Sequence, residues 1–190
     1  MRLIPPIVVM GVQGSGKSTI GRLLAERLGL RFIDGDGLHS TESIAIMAAG
    51  NALTDEQRIP WLQKIGQFLA AGSGTTAATT TATGIVLACS ALKRSYRDLL
   101  RESVPGLFVI DPEGTIELVA ARIGQRQHEF MPTSLLQSQF DTLEPLQEDE
   151  SGITLDIRQT PAELIESIAH ALESRATEER AAEEEVSLVD

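Results

Sequence analysis

Between Gly11 and Thr19 the chain reads Gly11-Val12-Gln13-Gly14-Ser15-Gly16-Lys17-Ser18-Thr19, with the apolar run Ile7-Val8-Val9-Met10 before it and a helical pattern from Ile20 after it. Glycines at 11, 14 and 16 let the backbone turn without Cβ clashes, so successive N–H groups converge on phosphate oxygens. A helix beginning near Lys17 adds the positive end of its dipole. Lys17 has the reach and charge for the β- and γ-phosphates of a nucleotide, and Ser18 has a hydroxyl for magnesium. A strand before the loop and a helix after it set this apart from a glycine-rich turn that binds nothing. Residues 11 to 19 are therefore assigned to a nucleotide, and Lys17 also to catalysis.

A second group follows a short apolar run. Asp34 and Asp36 alternate around Gly35 and can project differently, Asp34 toward a magnesium ion near Ser18 and Asp36 toward a second substrate. Magnesium takes few protein ligands and keeps its waters, so a hydroxyl and one carboxylate form an adequate set. Asp36 suits the binding of a hydroxyl and the acceptance of its proton. Further on, Arg58, Lys93 and Arg97 supply cations for an anionic acceptor, and His39 supplies a hydrogen-bonding ring. Arg122 and Arg126 flank a polar segment over about residues 122–133 that suits a mobile lid closing over ATP and stabilising the transferring charge. Arg158, after the fifth strand, is placed to stack on adenine. Trp61 reads as core packing.

The elements that must position these groups alternate regularly. Strands are expected near 4–10, 31–34, 85–89, 107–111 and 153–157. Helices are expected from about 17 to 28 (stopped by Gly29), 41–49, 55–70, 92–101, 115–126, 134–143 and from 161 onward. Thr54 with Gln57, and Thr160-Pro161-Ala162-Glu163, are helix-start signals. Five strands separated by helices predict an α/β fold, a parallel sheet covered on both faces, with ligands beyond the carboxyl ends of the strands.

The 190 residues fit one domain over 1–172. The Ala/Thr-rich stretch at about 72–84 reads as a surface connection, and 173–190 as an acidic tail, solvated or disordered. The formal charge of −11 argues against a nucleic-acid surface; the tail carries seven acids and two Arg, so −5 is its share and −6 the rest. One cysteine, Cys89, excludes an intrachain disulfide framework and fits a reducing, cytoplasmic compartment. No apolar run approaches the roughly 18 residues needed to cross a bilayer, and Pro5-Pro6 argues against a signal peptide at the start.

Several separated motifs occur in order: Asp34-Gly35-Asp36-x-x-His39, Met47-Ala48-x-Gly50, Leu53-Thr54-Asp55-x-x-Arg58-x-Pro60-Trp61-Leu62, Cys89-Ser90-Ala91-Leu92-Lys93-x-x-Tyr96-Arg97-Asp98, and Gln139-Phe140-x-Thr142-Leu143-Glu144-Pro145. Together with the phosphate loop they resemble the gluconate kinase family from about Val9 to Pro145. That resemblance implies ATP- and magnesium-dependent phosphorylation of D-gluconate to 6-phosphogluconate. It also implies a three-layer P-loop kinase fold of the nucleoside-monophosphate-kinase type with a mobile lid, and a cytoplasmic homodimer. The chain departs from the family in its lid, where Gly-His-Phe becomes His128-Glu129-Phe130, and at His39-Ser40-x-x-Ser43 and Ala52. A kinase of another small hydroxy acid, such as shikimate, shares this scaffold, and a non-catalytic nucleotide-binding regulator shares its loop. A switch GTPase would need Asn-Lys-x-Asp, and the one asparagine is Asn51.

Overall fold

The computed structural model describes residues 4–72, 84–124 and 133–187. Five strands, β1 (Ile7–Val9), β2 (Arg31–Asp34), β3 (Ile85–Ala88), β4 (Phe108–Glu113) and β5 (Gly152–Asp156), form one sheet in the order β2-β3-β1-β4-β5. Every pairing is parallel: Val8 lies opposite Leu87 on one side and Val109 on the other. The helices are α1 (Lys17–Leu28), α2 (Thr41–Ala48), α3 (Asp55–Gly72), α4 (Arg94–Ser103), α5 (Ile116–Gly124), α6 (Thr133–Thr142) and α7 (Pro161–Ser187). This is the α/β architecture expected from the alternation of elements.

Period-two alternation builds two cores from one sheet. Ile7 and Val9 pack with Ile20 and Leu24 of α1 and with Leu164, Ile168 and Leu172 of α7. Val8 and Met10 face Trp61, Leu62 and Ile65 of α3 and Tyr96 and Leu100 of α4. Both faces are covered, which is why the strands are apolar runs. The chain leaves β1 toward β2 and β3 and returns on the other side to β4, so the switch point lies at the carboxyl end of β1.

The final helix continues through 172 to Ser187 as one element. Arg175 anchors it beyond that point, donating to Ser151 Oγ at 2.6 Å and lying over the Phe108 ring at 5.9 Å. Past Arg175 the described side chains lack an apolar stripe and are mostly exposed, as their composition demands. The Ala/Thr-rich connection lies outside the described residues, and no described helix is long and apolar enough to cross a membrane.

Candidate active site

The phosphate loop occupies the switch point. Gly11, Gly14 and Gly16 have φ of +121°, +83° and +98°, conformations that a Cβ would strain. A Cβ on Gly14 would also lie 2.6 Å from Ile123 Cγ1, so α5 closes directly on the loop. The Gly11 N–H donates to Ser90 O at 3.1 Å, which ties the loop to the end of β3. Lys17 Nζ donates to Val12 O at 2.9 Å and thereby folds back over the loop toward the position of terminal phosphates.

Ser18 and Asp34 meet. The Ser18 hydroxyl donates to Asp34 Oδ2 at 3.0 Å, and Asp34 Oδ1 accepts the Asp36 N–H at 3.2 Å. One carboxylate therefore links the first turn of α1 to the one-turn 3-10 helix Gly35–Leu38 that carries Asp36. A hydroxyl and a carboxylate in contact fit a magnesium ion that retains most of its waters. Among the described residues no group of three or more His, Cys, Asp or Glu could hold a metal, so a closed structural site is not in question there.

Two hollows open from the loop. The smaller, about 290 Å³, is lined by Gly14, Gly16, Thr19, Arg122, Gln159 and Pro161 among others. Ser15 Oγ, buried in the loop that borders it, makes no hydrogen bond, an orphaned donor that fits an anionic ligand such as a nucleotide. The larger, about 790 Å³, is lined by Gln13, Lys17 and Asp36 and also by Arg58, Lys93 and Tyr96. It has the size of a small-molecule site and holds both a phosphate-facing cation, Lys17, and further cations, Arg58 and Lys93.

Within the larger cleft, Lys93 Nζ lies 2.7 and 2.9 Å from the two oxygens of Asp55, and the Tyr96 hydroxyl donates to Asp55 at 2.5 Å. Arg58 donates through Nε to Leu53 O at 3.3 Å and lies 6.0 Å from the Tyr96 ring centre. His39 stacks on Trp61 with centroids 4.1 Å apart, and Trp61 is buried with its indole N–H on Gly35 O at 2.8 Å. Burial, then the Arg58 charge, lowers the His39 pKa to about 4. The ring is thus neutral near pH 7 and enters the cleft as a hydrogen-bonding group and not as a cation.

Two assigned residues stand elsewhere. Arg97, expected among the substrate cations, is fully buried on the far side of α4. Its guanidinium donates to both oxygens of Glu150 at 2.7 Å and to the carbonyls of Leu92, Glu144 and Pro145. Burial raises the Glu150 pKa, but hydrogen bonds from Arg97, the Gln147 N–H and Arg101 outweigh it and hold the carboxyl at about 2. Arg97 pins the loop after α6 and has no donor left for a ligand. Arg158, expected on adenine, is exposed and bonded to Asp156, facing a separate hollow with Glu113 and Thr115. Its neighbours Ile157 and Gln159 turn the other way, into the nucleotide hollow.

Arg122 donates to Ile157 O and lines the nucleotide hollow, on the opposite side of the loop from the acceptor cleft. Arg126, His128 and Phe130 lie outside the described residues. Asp55, Tyr96 and Gln139 are among the cleft residues that carried no assigned role from the sequence. The signal was present for Gln139, since Leu135, Ser138, Gln139 and Thr142 share one helical face.

Comparison with known proteins agrees with this geometry. The family model described as shikimate kinase matches residues 13–173. The chain is 38% identical over 187 residues to a probable gluconokinase of Mus musculus, covering 87% of this chain and 96% of that one. It is 39% identical to the thermosensitive gluconokinase of Escherichia coli (strain K12), covering 87% and 86%. A crystal structure of a gluconokinase from Sinorhizobium meliloti 1021 superposes with a TM-score of 0.84 at 42% identity, covering 96% and 99%. With a nucleotide loop, an acceptor cleft and relatives of this identity over nearly its full length, the chain belongs to the gluconokinase family of P-loop kinases.

Proposed function

We propose that the protein transfers the terminal phosphoryl group of ATP to the primary hydroxyl of D-gluconate, giving 6-phospho-D-gluconate, with magnesium. The observation that carries the reading is the larger cleft, whose lining brings Lys17 and Asp36 together with Arg58. An open-chain sugar acid presents a hydroxyl and a carboxylate at opposite ends, and these groups match them. The gluconokinase names of the relatives support the same acceptor.

Phosphoryl transfer needs positioning and charge neutralisation more than covalent chemistry. The loop N–H groups from Gly14 to Thr19 and the Lys17 ammonium hold the β- and γ-phosphates. Ser18 and Asp34 would hold a magnesium ion, which would supply charge neutralisation at the phosphates. Asp36 orients the acceptor hydroxyl and takes its proton as the oxygen bonds to phosphorus and the bond to ADP breaks. Arg58 grips the carboxylate, Lys93 adds positive potential beside it, and neutral His39 hydrogen-bonds a hydroxyl. Arg122 holds the nucleotide, and Arg126 stabilises the transferring charge from the lid segment. A cytoplasmic homodimer belongs to the same reading; the single buried Cys89 is consistent with a reducing compartment.

Coupled ADP release measured across gluconate, other sugar acids, shikimate and nucleoside monophosphates tests this. Stimulation by gluconate in the presence of magnesium is expected. Nucleotide binding without gluconate-stimulated turnover would overturn the assignment.

A further inference from the structure

α6 has two working faces. Leu136 and Phe140 pack with Val12, Leu92 and Ile123 beneath the phosphate loop. Leu135, Ser138, Gln139 and Thr142 line the acceptor cleft. One long-range hydrogen bond joins helix and loop: the Gln13 N–H donates to Gln139 Oε1 at 2.6 Å. A backbone N–H only donates, so this contact decides which end of the carboxamide faces the loop. The oxygen takes the loop, and Nε2, with two N–H donors, is left to the cleft without a hydrogen-bond partner among the described residues.

The location matters. Gln13 and Lys17 are the loop residues that border the acceptor cleft, whereas Gly14, Ser15 and Gly16 border the nucleotide hollow. Gln139 therefore stands where the terminal phosphate and the acceptor oxygen must meet. We propose that Gln139 is a further catalytic residue, whose Nε2 donates to an oxygen of the transferring phosphoryl group while the Gln13 N–H holds its Oε1. The proposal rests on the phosphoryl-transfer reading above, not on gluconate being the acceptor. A donor held by the loop's own backbone and backed by a packed helix is in place before charge develops, so it costs no reorganisation during transfer. Its neutrality suits the site, because a carboxylate there would accept the same Gln13 N–H but turn an anionic oxygen toward the phosphate.

Gln139→Leu and Gln139→Glu separate holding the loop from donating to the phosphate. Both are compared with wild type in the ADP-release assay, alongside titration with a fluorescent ATP analogue and urea unfolding. The acceptor is whichever acid the wild-type chain phosphorylates, so a wild type that ignores gluconate but uses another acid overturns the acceptor assignment alone. Both variants are expected to lose about 100-fold in kcat. Gln139→Leu should keep nucleotide affinity within about threefold, which a merely structural role would not predict. A Gln139→Glu variant with near wild-type kcat would overturn the proposal, since the loop contact alone would then suffice. So would a Gln139→Leu loss that appears wholly as weakened nucleotide binding.

Discussion

Lys93 and Asp55 are paired across the mouth of the acceptor cleft, the ammonium 2.7 and 2.9 Å from the two carboxylate oxygens. The contact ties the residue before α4 to the first turn of α3, and the Tyr96 hydroxyl closes on the same carboxylate at 2.5 Å. Lys93 thus reaches the cleft with its charge largely balanced, and hydrogen bonding to Asp55 raises its pKa. Arg58, one turn along α3, spends Nε on Leu53 O, and its Nη groups make no hydrogen bond among the described residues. A guanidinium fork in that state suits a carboxylate better than an ammonium already partnered.

Arg58→Ala should therefore raise the KM for gluconate by about 10- to 100-fold while kcat changes by less than about threefold, because the carboxylate is remote from the reacting hydroxyl. Lys93→Ala should raise KM less. Steady-state kinetics of the two variants decide the matter, and the reverse order would assign the carboxylate to Lys93.

Lys17 folds back onto Val12 O at 2.9 Å, so removing it deletes a charge from the phosphate site without opening the core. Lys17→Ala should lower kcat by at least about 10³-fold with any acceptor, since it neutralises charge on the transferring phosphate. Its thermal unfolding midpoint should stay within a few degrees of wild type, measured without nucleotide. A variant retaining a tenth of the turnover would leave the loop without its proposed role.

Local chemistry was legible in the sequence and long-range chemistry was not. The phosphate loop is contiguous, and its glycines, lysine and flanking elements dictate the conformation without reference to the rest of the chain. The same holds for Thr54 and Gln57, which form the reciprocal cap of α3. Lys93 and Arg97 share a helical spacing, but spacing does not reveal that α4 turns Arg97 toward Glu150, 53 residues further on. Arg158 went astray for a related reason: it lies in the turn that follows β5, where Asp156, two residues back, captures its side chain. The Gln13–Gln139 contact spans 126 residues, beyond the reach of any local pattern.

Arg97 should accordingly behave as a fold residue. Its side chain and that of Glu150 are both fully buried, so truncating one strands the other's charge. Arg97→Leu is expected to cost about 3–5 kcal/mol in urea unfolding, with Arg97→Lys a poor replacement because an ammonium cannot span the same set of acceptors. Adding Glu150→Leu to Arg97→Leu should recover part of that loss. The folded fraction should keep its KM for gluconate, and a raised KM with stability intact would return Arg97 to the acceptor site.

His39 gives the pH signature. Its pKa is 6.5 when unfolded and about 4 when folded, burial being the larger cause and Arg58 the second. Between those values the unfolded chain binds a proton that the folded chain refuses, so this contribution to stability is intact above about pH 6.5 and is lost progressively as pH falls toward 4. Asp111 acts in the opposite sense, because burial, then Glu113, raises its carboxyl to about 6. The wild-type curve mixes the two effects, and the difference between wild type and His39→Gln isolates the first. Urea unfolding from about pH 4.5 to 8 should give a difference that is flat above about pH 7 and moves steadily in favour of the variant below it. A flat difference throughout would mean that the ring beside Trp61 accepts a proton as readily as it does in solvent, so that neither burial nor Arg58 perturbs it.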